Sequence, residues 1–184
     1  MTSIRNGRAT GGDNIAGEYI KYGGELMVQQ VALLVNNIFI IKKLVPELCE
    51  SILIPLNKPG KPKLVSNVRP ITLLNSIRKL VSVILLNRIY PDVEKYIPNS
   101  QCGFRRNRSF NEIAWSYNWL KAIAGKYKRV YHIIGIDMST AFDSILRDKL
   151  LHVLKSILKI DEYRMIRLLL TNITLQSESK WRIR

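Results

Sequence analysis

Residues 134–145 read IGIDMSTAFDSI, an apolar run that ends in an acid, then a small-residue turn, then Phe142 and Asp143. No other stretch constrains the fold so tightly. The β-branched run Val130–Ile136 predicts a strand, and its near-continuous apolar character predicts burial on both faces. Asp137 would then stand at the strand tip. A carboxylate there costs free energy unless a cation pairs with it. Two roles fit it: a helix-capping or salt-bridged acid, and a metal ligand. Asp143 suits the first role, because it would open the helix predicted over 143–158 and favour its N-terminal dipole. The strand-end position of Asp137 suits the second. One carboxylate is not a two-metal site, which needs several acids around ions about 3.5–4 Å apart. Phe142 fits either core packing or a ring beneath a bound sugar.

The remaining pattern is mostly helical. Asp13 could cap a short helix through Tyr22, stopped by Gly23-Gly24. A helix is predicted over 25–43; its apolar stretch carries Gln29, Gln30, Asn36, Asn37 and two lysines, which reads as a buried amphipathic helix and not a membrane span. Residues 51–56 suit a strand and 63–67 its return, with Asn57–Pro62 as a basic turn. Arg69-Pro70-Ile71-Thr72 should be extended, since a residue before proline avoids helix. Further helices are predicted over 74–90, 110–124 and 161–171. With 184 residues and 47% hydrophobic content the chain has one domain's worth of core. The fold class is α+β, with helices packed on a small antiparallel sheet.

Charge supplies the partner class. Lys and Arg total 29 against 14 Asp and Glu, a net charge of +15. The span 51–91 has seven basic residues and no acid, and a second basic block runs from Arg105 to Arg129. Such a basic excess points to a polyanion, nucleic acid first and an anionic membrane second. In Gln101–Ser109 three arginines fall within four positions, beside a glycine that permits close backbone approach and Phe104 as a stacking or packing face. Lysines at the hairpin tip could close over a triphosphate or serve solubility. Cys49 and Cys102 have neither metal-ligand nor secreted-framework spacing and read as small core residues in a reducing compartment, hence intracellular, nuclear or cytoplasmic.

Four segments in order, ATGGDNIAGEYIKYGG, LIPLNKPGKP with RPITLLNSIRKL, QCGFRRNRS and IGIDMSTAFDSI, resemble the reverse transcriptase domain of non-LTR (LINE-type) retrotransposons over about residues 7–155. The resemblance implies the fingers (about 1–125) and the start of the palm (about 126–184) of a right-hand polymerase. It implies an RNA template, a DNA primer, dNTP substrates, Mg²⁺, and no membrane; it leaves the oligomeric state open. Asp137 looks like the first catalytic aspartate and metal ligand. Met138, Ser139, Thr140 and Ala141 would meet the incoming triphosphate, and Phe142 looks like the gate against a ribose 2′-OH. Lys61, Lys63 and Arg69 resemble the fingers residues that hold the triphosphate, without a one-to-one assignment. Gln101, Gly103, Phe104, Arg105, Arg108 and Ser109 are implied to line the template path.

Two departures stand out. The family continues to a Gly-x-x-Gln-Gly segment and a Tyr/Phe-Ala-Asp-Asp hairpin, and neither occurs in these 184 residues. The family's Gly-Pro-Asp is here Gly11-Gly12-Asp13. The stretch therefore reads as truncated within the palm and is expected not to polymerise alone. The alternative function is a non-catalytic, basic nucleic-acid-binding remnant.

Overall fold

Ile77, Val81 and Leu85 recur every four residues, which places them on one face of a helix, and all three are buried. That helix is the longest in the computed structural model, which describes residues 5–60, 62, 64, 67–138 and 140–177. The elements run α1 (Gly17–Tyr22), α2 (Gly24–Ile41), α3 (Pro46–Cys49), β1 (Glu50–Asn57), β2 (Val68–Leu74), α4 (Ser76–Tyr96), α5 (Phe110–Tyr127), α6 (Arg147–Ile157), α7 (Ile160–Thr171) and β3 (Thr174–Ser177).

The chain divides into two units, residues 1–89 with 159–184 and residues 90–158. In the first, the buried apolar residues are Ile20 of α1, Val31, Val35 and Ile38 of α2, Leu48 of α3, the α4 face, and Met165 and Ile166 of α7. The sheet order is β2-β1-β3. β1 and β2 pair antiparallel from Ser51 with Leu74 to Asn57 with Val68. β3 runs parallel to β1, with Glu50 opposite Thr174 and Leu53 opposite Ser177. The mixture of helices with a small sheet agrees with the α+β expectation; the sheet is mixed and not purely antiparallel. β3 had no sequence signal, because four residues are too few to show a period.

Arg78 ties this unit together. Its side chain is buried and donates to the carbonyl oxygens of Leu48 (2.6 Å), Leu169 (2.7 Å) and Asn172 (3.0 Å). Burial pushes the guanidinium pKa down from its ordinary value. Those acceptors sit at the end of α3 and the last turn of α7, where helix carbonyls lack intrahelical donors. Gly11 is a second fixed point: a Cβ there would lie 2.7 Å from the Asn75 backbone and side chain.

Several expected elements moved. The strand that pairs with β1 is β2; of the returning strand expected over 63–67, Lys63, Val65 and Ser66 lie outside the described residues. Arg69–Thr72 is extended as expected, inside β2. Asp13 accepts from the Ile15 N–H at 3.2 Å and closes a turn, while Ala16 occupies the N-cap of α1. α4 continues through Pro91. α2 buries only three of its apolar residues, and by length and composition it is long and apolar enough to cross a membrane.

In the second unit, Val130–Met138 pairs with no strand among the described residues, and Ile134 and Ile136 are each more than four-fifths exposed. The expected buried strand is absent because β-branched character favours a pleated conformation but cannot replace a ladder partner. α6 starts at Arg147 and not at 143. The Asp143 and Ser144 N–H groups both bond to the Thr140 carbonyl, closing a turn ahead of the helix, so Asp143 does not cap it.

Candidate functional site

The second unit holds two of the sequence motifs. The segment Gln101–Ser109 runs from the turn after α4 to the N-terminus of α5, and a dense set of bonds shapes it. Arg105 is its bracket. Its Nε and Nη2 donate to Glu94 at 3.0 and 2.5 Å, and its Nη1 donates to the Pro98 and Gln101 carbonyls at 2.9 and 3.1 Å. Its side chain is only 5% exposed. The Arg105 hydrogen bond holds the Glu94 carboxyl below the usual range, and Glu94 in turn raises Arg105. Arg105 thus fastens the loop to itself and does not present a fork to solvent.

Arg108 and Ser109 are similarly engaged. Ser109 is the N-cap of α5: its Oγ accepts from the Asn111 N–H at 3.1 Å, and its own N–H donates to Glu112 at 2.9 Å, completing a capping box. Arg108 donates to the other Glu112 oxygen at 2.8 Å. The Ser109 N–H first, and Arg108 second, hold Glu112 below the usual carboxylate range. Arg106 lies over the Tyr90 ring at 4.3 Å, and its N–H donates to the Tyr90 hydroxyl. Cys102 is half-buried, with Sγ 3.7 Å from Glu112. Gln101 closes a turn onto Pro98 and is exposed.

Gly103 and Phe104 are among the exposed residues of the loop. A Cβ on Gly103 would meet no atom within 4 Å, so nothing in the described chain requires glycine there. Phe104 has φ of 60° and is 92% exposed. A bulky side chain in the left-handed region is a genuine outlier, and such strain gathers at functional positions. Its ring stands edge-on to Phe142, centroids 5.7 Å apart at 82°. This contact joins the Gln101–Ser109 loop to the 137–143 motif, two segments the sequence could place only in order.

Around that contact, Asp137 and Met138 are exposed, Thr140 takes φ of 51°, and Ala141 accepts from the Ser144 hydroxyl at 3.0 Å. Ser139 lies outside the described residues. No group of three or more His, Cys, Asp or Glu side chains that could hold a metal ion is present among the described residues. Asp137 contributes one exposed carboxylate here, and the described residues do not complete a metal centre around it.

In the first unit, Arg69 is exposed in β2 opposite Leu56. Lys61 and Lys63 lie outside the described residues. α5, in the second unit, was expected only as a helix, yet it buries no residue and stacks Trp115 on Trp119 with centroids 6.2 Å apart. Their i, i+4 spacing was the available signal.

Comparison with known proteins bears on all of these segments. The family model described as reverse transcriptase (RNA-dependent DNA polymerase) matches residues 56–183. The probable RNA-directed DNA polymerase from transposon BS of Drosophila melanogaster is 26% identical over 163 residues, covering 87% of this chain and 18% of that protein. The RNA-directed DNA polymerase from mobile element jockey of Drosophila funebris is 26% identical over 170 residues, covering 91% of this chain and 19% of that protein. The chain thus spans about a fifth of the length of the curated relatives it matches. With the matched span running from the end of β1 through the Gln101–Ser109 loop and the Asp137 motif, the chain belongs to the reverse transcriptase (RNA-dependent DNA polymerase) family, as a domain of the non-LTR retrotransposon kind.

Proposed function

We propose that this chain supplies the fingers and the start of the palm of an RNA-directed DNA polymerase that copies an RNA template from a DNA primer with dNTPs. The observation that carries the reading is the family match over 56–183, which includes Asp137, Phe142 and the arginine loop in one span. Nucleotidyl transfer of this kind is two-metal chemistry, in which ions stabilise both the attacking and the leaving oxygen. Asp137 is assigned as one Mg²⁺ ligand, with its partner carboxylates supplied from outside the described residues. Phe142 is assigned as the gate beneath the sugar, and Met138 to Ala141 as the backbone that meets the triphosphate. Arg69, with Lys61 and Lys63, is assigned to the triphosphate.

The template role is divided among the loop residues. Arg105, Arg108 and Ser109 shape the loop, since their polar groups are spent on Glu94, Glu112 and main-chain atoms. Gly103 and Phe104 offer the outward surface for a strand, and Gln101 flanks them. Fragment or whole, the net charge of +15 supports a nucleic-acid partner.

The test is a chimera in which residues 1–184 replace the matching stretch of the jockey polymerase. Primer extension with Mg²⁺ and dNTPs is expected, Asp137→Ala should abolish it, and Phe142→Ala should admit ribonucleotides. Extension that survives Asp137→Ala sinks the assignment.

A further inference from the structure

One cavity of the first unit takes no lining residue from the Asp137 motif or the Gln101–Ser109 loop, although most of its lining comes from the segments 9–24 and 69–80 that carry the family resemblance. It is a cleft of about 450 Å³ between the N-terminal arm and the first turns of α4. Three cations line it, Arg5 and Arg8 from the arm and Lys79 from α4, and among its described lining residues there is no acid. The lining also includes apolar side chains: Leu73 from the end of β2, and Leu80 and Val83 from α4. Val83 is 47% exposed, so this part of the lining is open to a ligand.

The cleft is already shaped. The arm is held to α1 by Asn6, whose amide donates to the Tyr22 hydroxyl at 2.8 Å and accepts from Lys21 at 2.9 Å. The Gly7 N–H donates to Glu18 at 2.5 Å and holds that carboxyl below its usual range. The Ser76 hydroxyl donates to the Ile15 carbonyl at 2.9 Å, and Lys79 Nζ reaches the Ala9 carbonyl at 3.5 Å. Glu18 is thus turned to the arm's own backbone, and the three cations of the cleft have no ion-pair partner among the described residues.

We propose that this cleft is a second nucleic-acid site, which holds one nucleotide unit of a single strand. Its phosphate sits on Arg5, Arg8 and Lys79, and its base lies against Leu73, Leu80 and Val83. Cations with no carboxylate among them favour a phosphate, and the aliphatic side chains in the same lining favour an anion that carries a poorly hydrated body. The volume suits a single nucleotide and is too small for a duplex. The choice of nucleic acid as ligand rests on the polymerase reading; the cleft and its charge do not.

The test uses the whole chain and a fluorescein-labelled oligouridylate 12-mer over a salt series. Arg5→Gln/Arg8→Gln/Lys79→Gln is compared with Lys43→Gln/Arg164→Gln/Arg167→Gln, which removes the same charge from the same unit outside the cleft. The cleft triple should weaken binding at least tenfold and flatten the salt slope by about 0.7, one phosphate's worth. The control triple should change affinity less than threefold. Val83→Ser should weaken binding severalfold with the slope unchanged. In the wild-type chain, methyl resonances of Leu73, Leu80 and Val83 should shift on adding the 12-mer, a readout that needs no variant to fold. UMP alone should bind at least tenfold more weakly than the strand.

Equal effects of the two triples, or unshifted methyls with the 12-mer bound, overturn the cleft site and leave the polymerase reading standing. UMP binding as tightly as the 12-mer overturns the assignment to a strand. Loss of Asp137-dependent extension in the chimera, with cleft binding intact, removes the polymerase reading alone.

Discussion

The ring of Phe104 meets that of Phe142 edge to face, 5.7 Å between centroids, although 38 residues separate them. A T-shaped aromatic pair contributes about 0.5–1.5 kcal/mol beyond its buried area, and the exposure of both rings places this pair toward the lower end. Phe104 also carries a left-handed backbone, which costs an L-residue roughly 1–2 kcal/mol. Phe104→Gly should therefore be less destabilising than Phe104→Ala by about 1 kcal/mol, despite removing more side chain. Urea denaturation of both variants checks the order. A double-mutant cycle with Phe142→Ala should show coupling near 0.5 kcal/mol, on the scale of exposed aromatic pairs.

Acid should loosen the Gln101–Ser109 loop. Glu94 has a folded pKa depressed by Arg105, so its contribution is fully present above the unfolded carboxylate value of about 4.3 and is lost as pH falls through the folded value. Glu112, held down by the Ser109 N–H and Arg108, acts in the same direction. In Arg105→Gln the Glu94 part of this dependence disappears. Melting temperatures between pH 6 and pH 3 should show the variant below wild type at pH 6 and the two converging below pH 4. Parallel curves would contradict the Arg105–Glu94 linkage.

Two glycines should behave oppositely. Gly11→Ala drives a methyl into the Asn75 backbone at 2.7 Å and should cost on the order of 1–3 kcal/mol. Gly103→Ala meets open space and should leave stability within about 0.5 kcal/mol of wild type. If Gly103 serves a bound strand, that second variant should instead weaken oligouridylate binding. Thermal melts and a binding titration on the same two proteins separate these effects.

Arg78→Met should be the most damaging of these changes. It strips donors from the Leu48, Leu169 and Asn172 carbonyls; the buried Leu48 acceptor left unpaired costs about 1–3 kcal/mol and the two part-buried ones less, so a loss of at least about 2 kcal/mol is expected. Amide exchange in the last turn of α7 should accelerate first. A variant with wild-type stability would show that the three carbonyls find other donors.

The helices were legible wherever a face repeats. Ile77, Val81 and Leu85 announce α4, and Ser109 with Glu112 announces the start of α5 as a capping box. Arg78 was not legible, because its partners at 48, 169 and 172 are distant in sequence and a lone arginine in a basic stretch reads as surface. Arg105 was read as a phosphate fork; its true partner, Glu94, lies only 11 residues upstream and could have been considered. The start of α6 was misplaced because Asp143 resembles a helix cap, whereas a turn onto Thr140 delays the helix to Arg147. The Asp137 motif was legible as an order of residue types. Its contact with Phe104 was not, since nothing local links residues 38 apart.

The parallel pairing of Glu50–Leu53 with Thr174–Ser177 also sets a timetable for the nascent chain. At about 5–20 residues per second, β3 is synthesised roughly 6–25 s after the strand it must join. Through that interval β1 has only β2 as a partner, and its other edge stays open. Arg78 waits as well, because two of its three acceptors belong to the same late segment. The β1–β2 hairpin is thus the early half of the sheet, and the ribosome must pass residue 177 before the sheet can close.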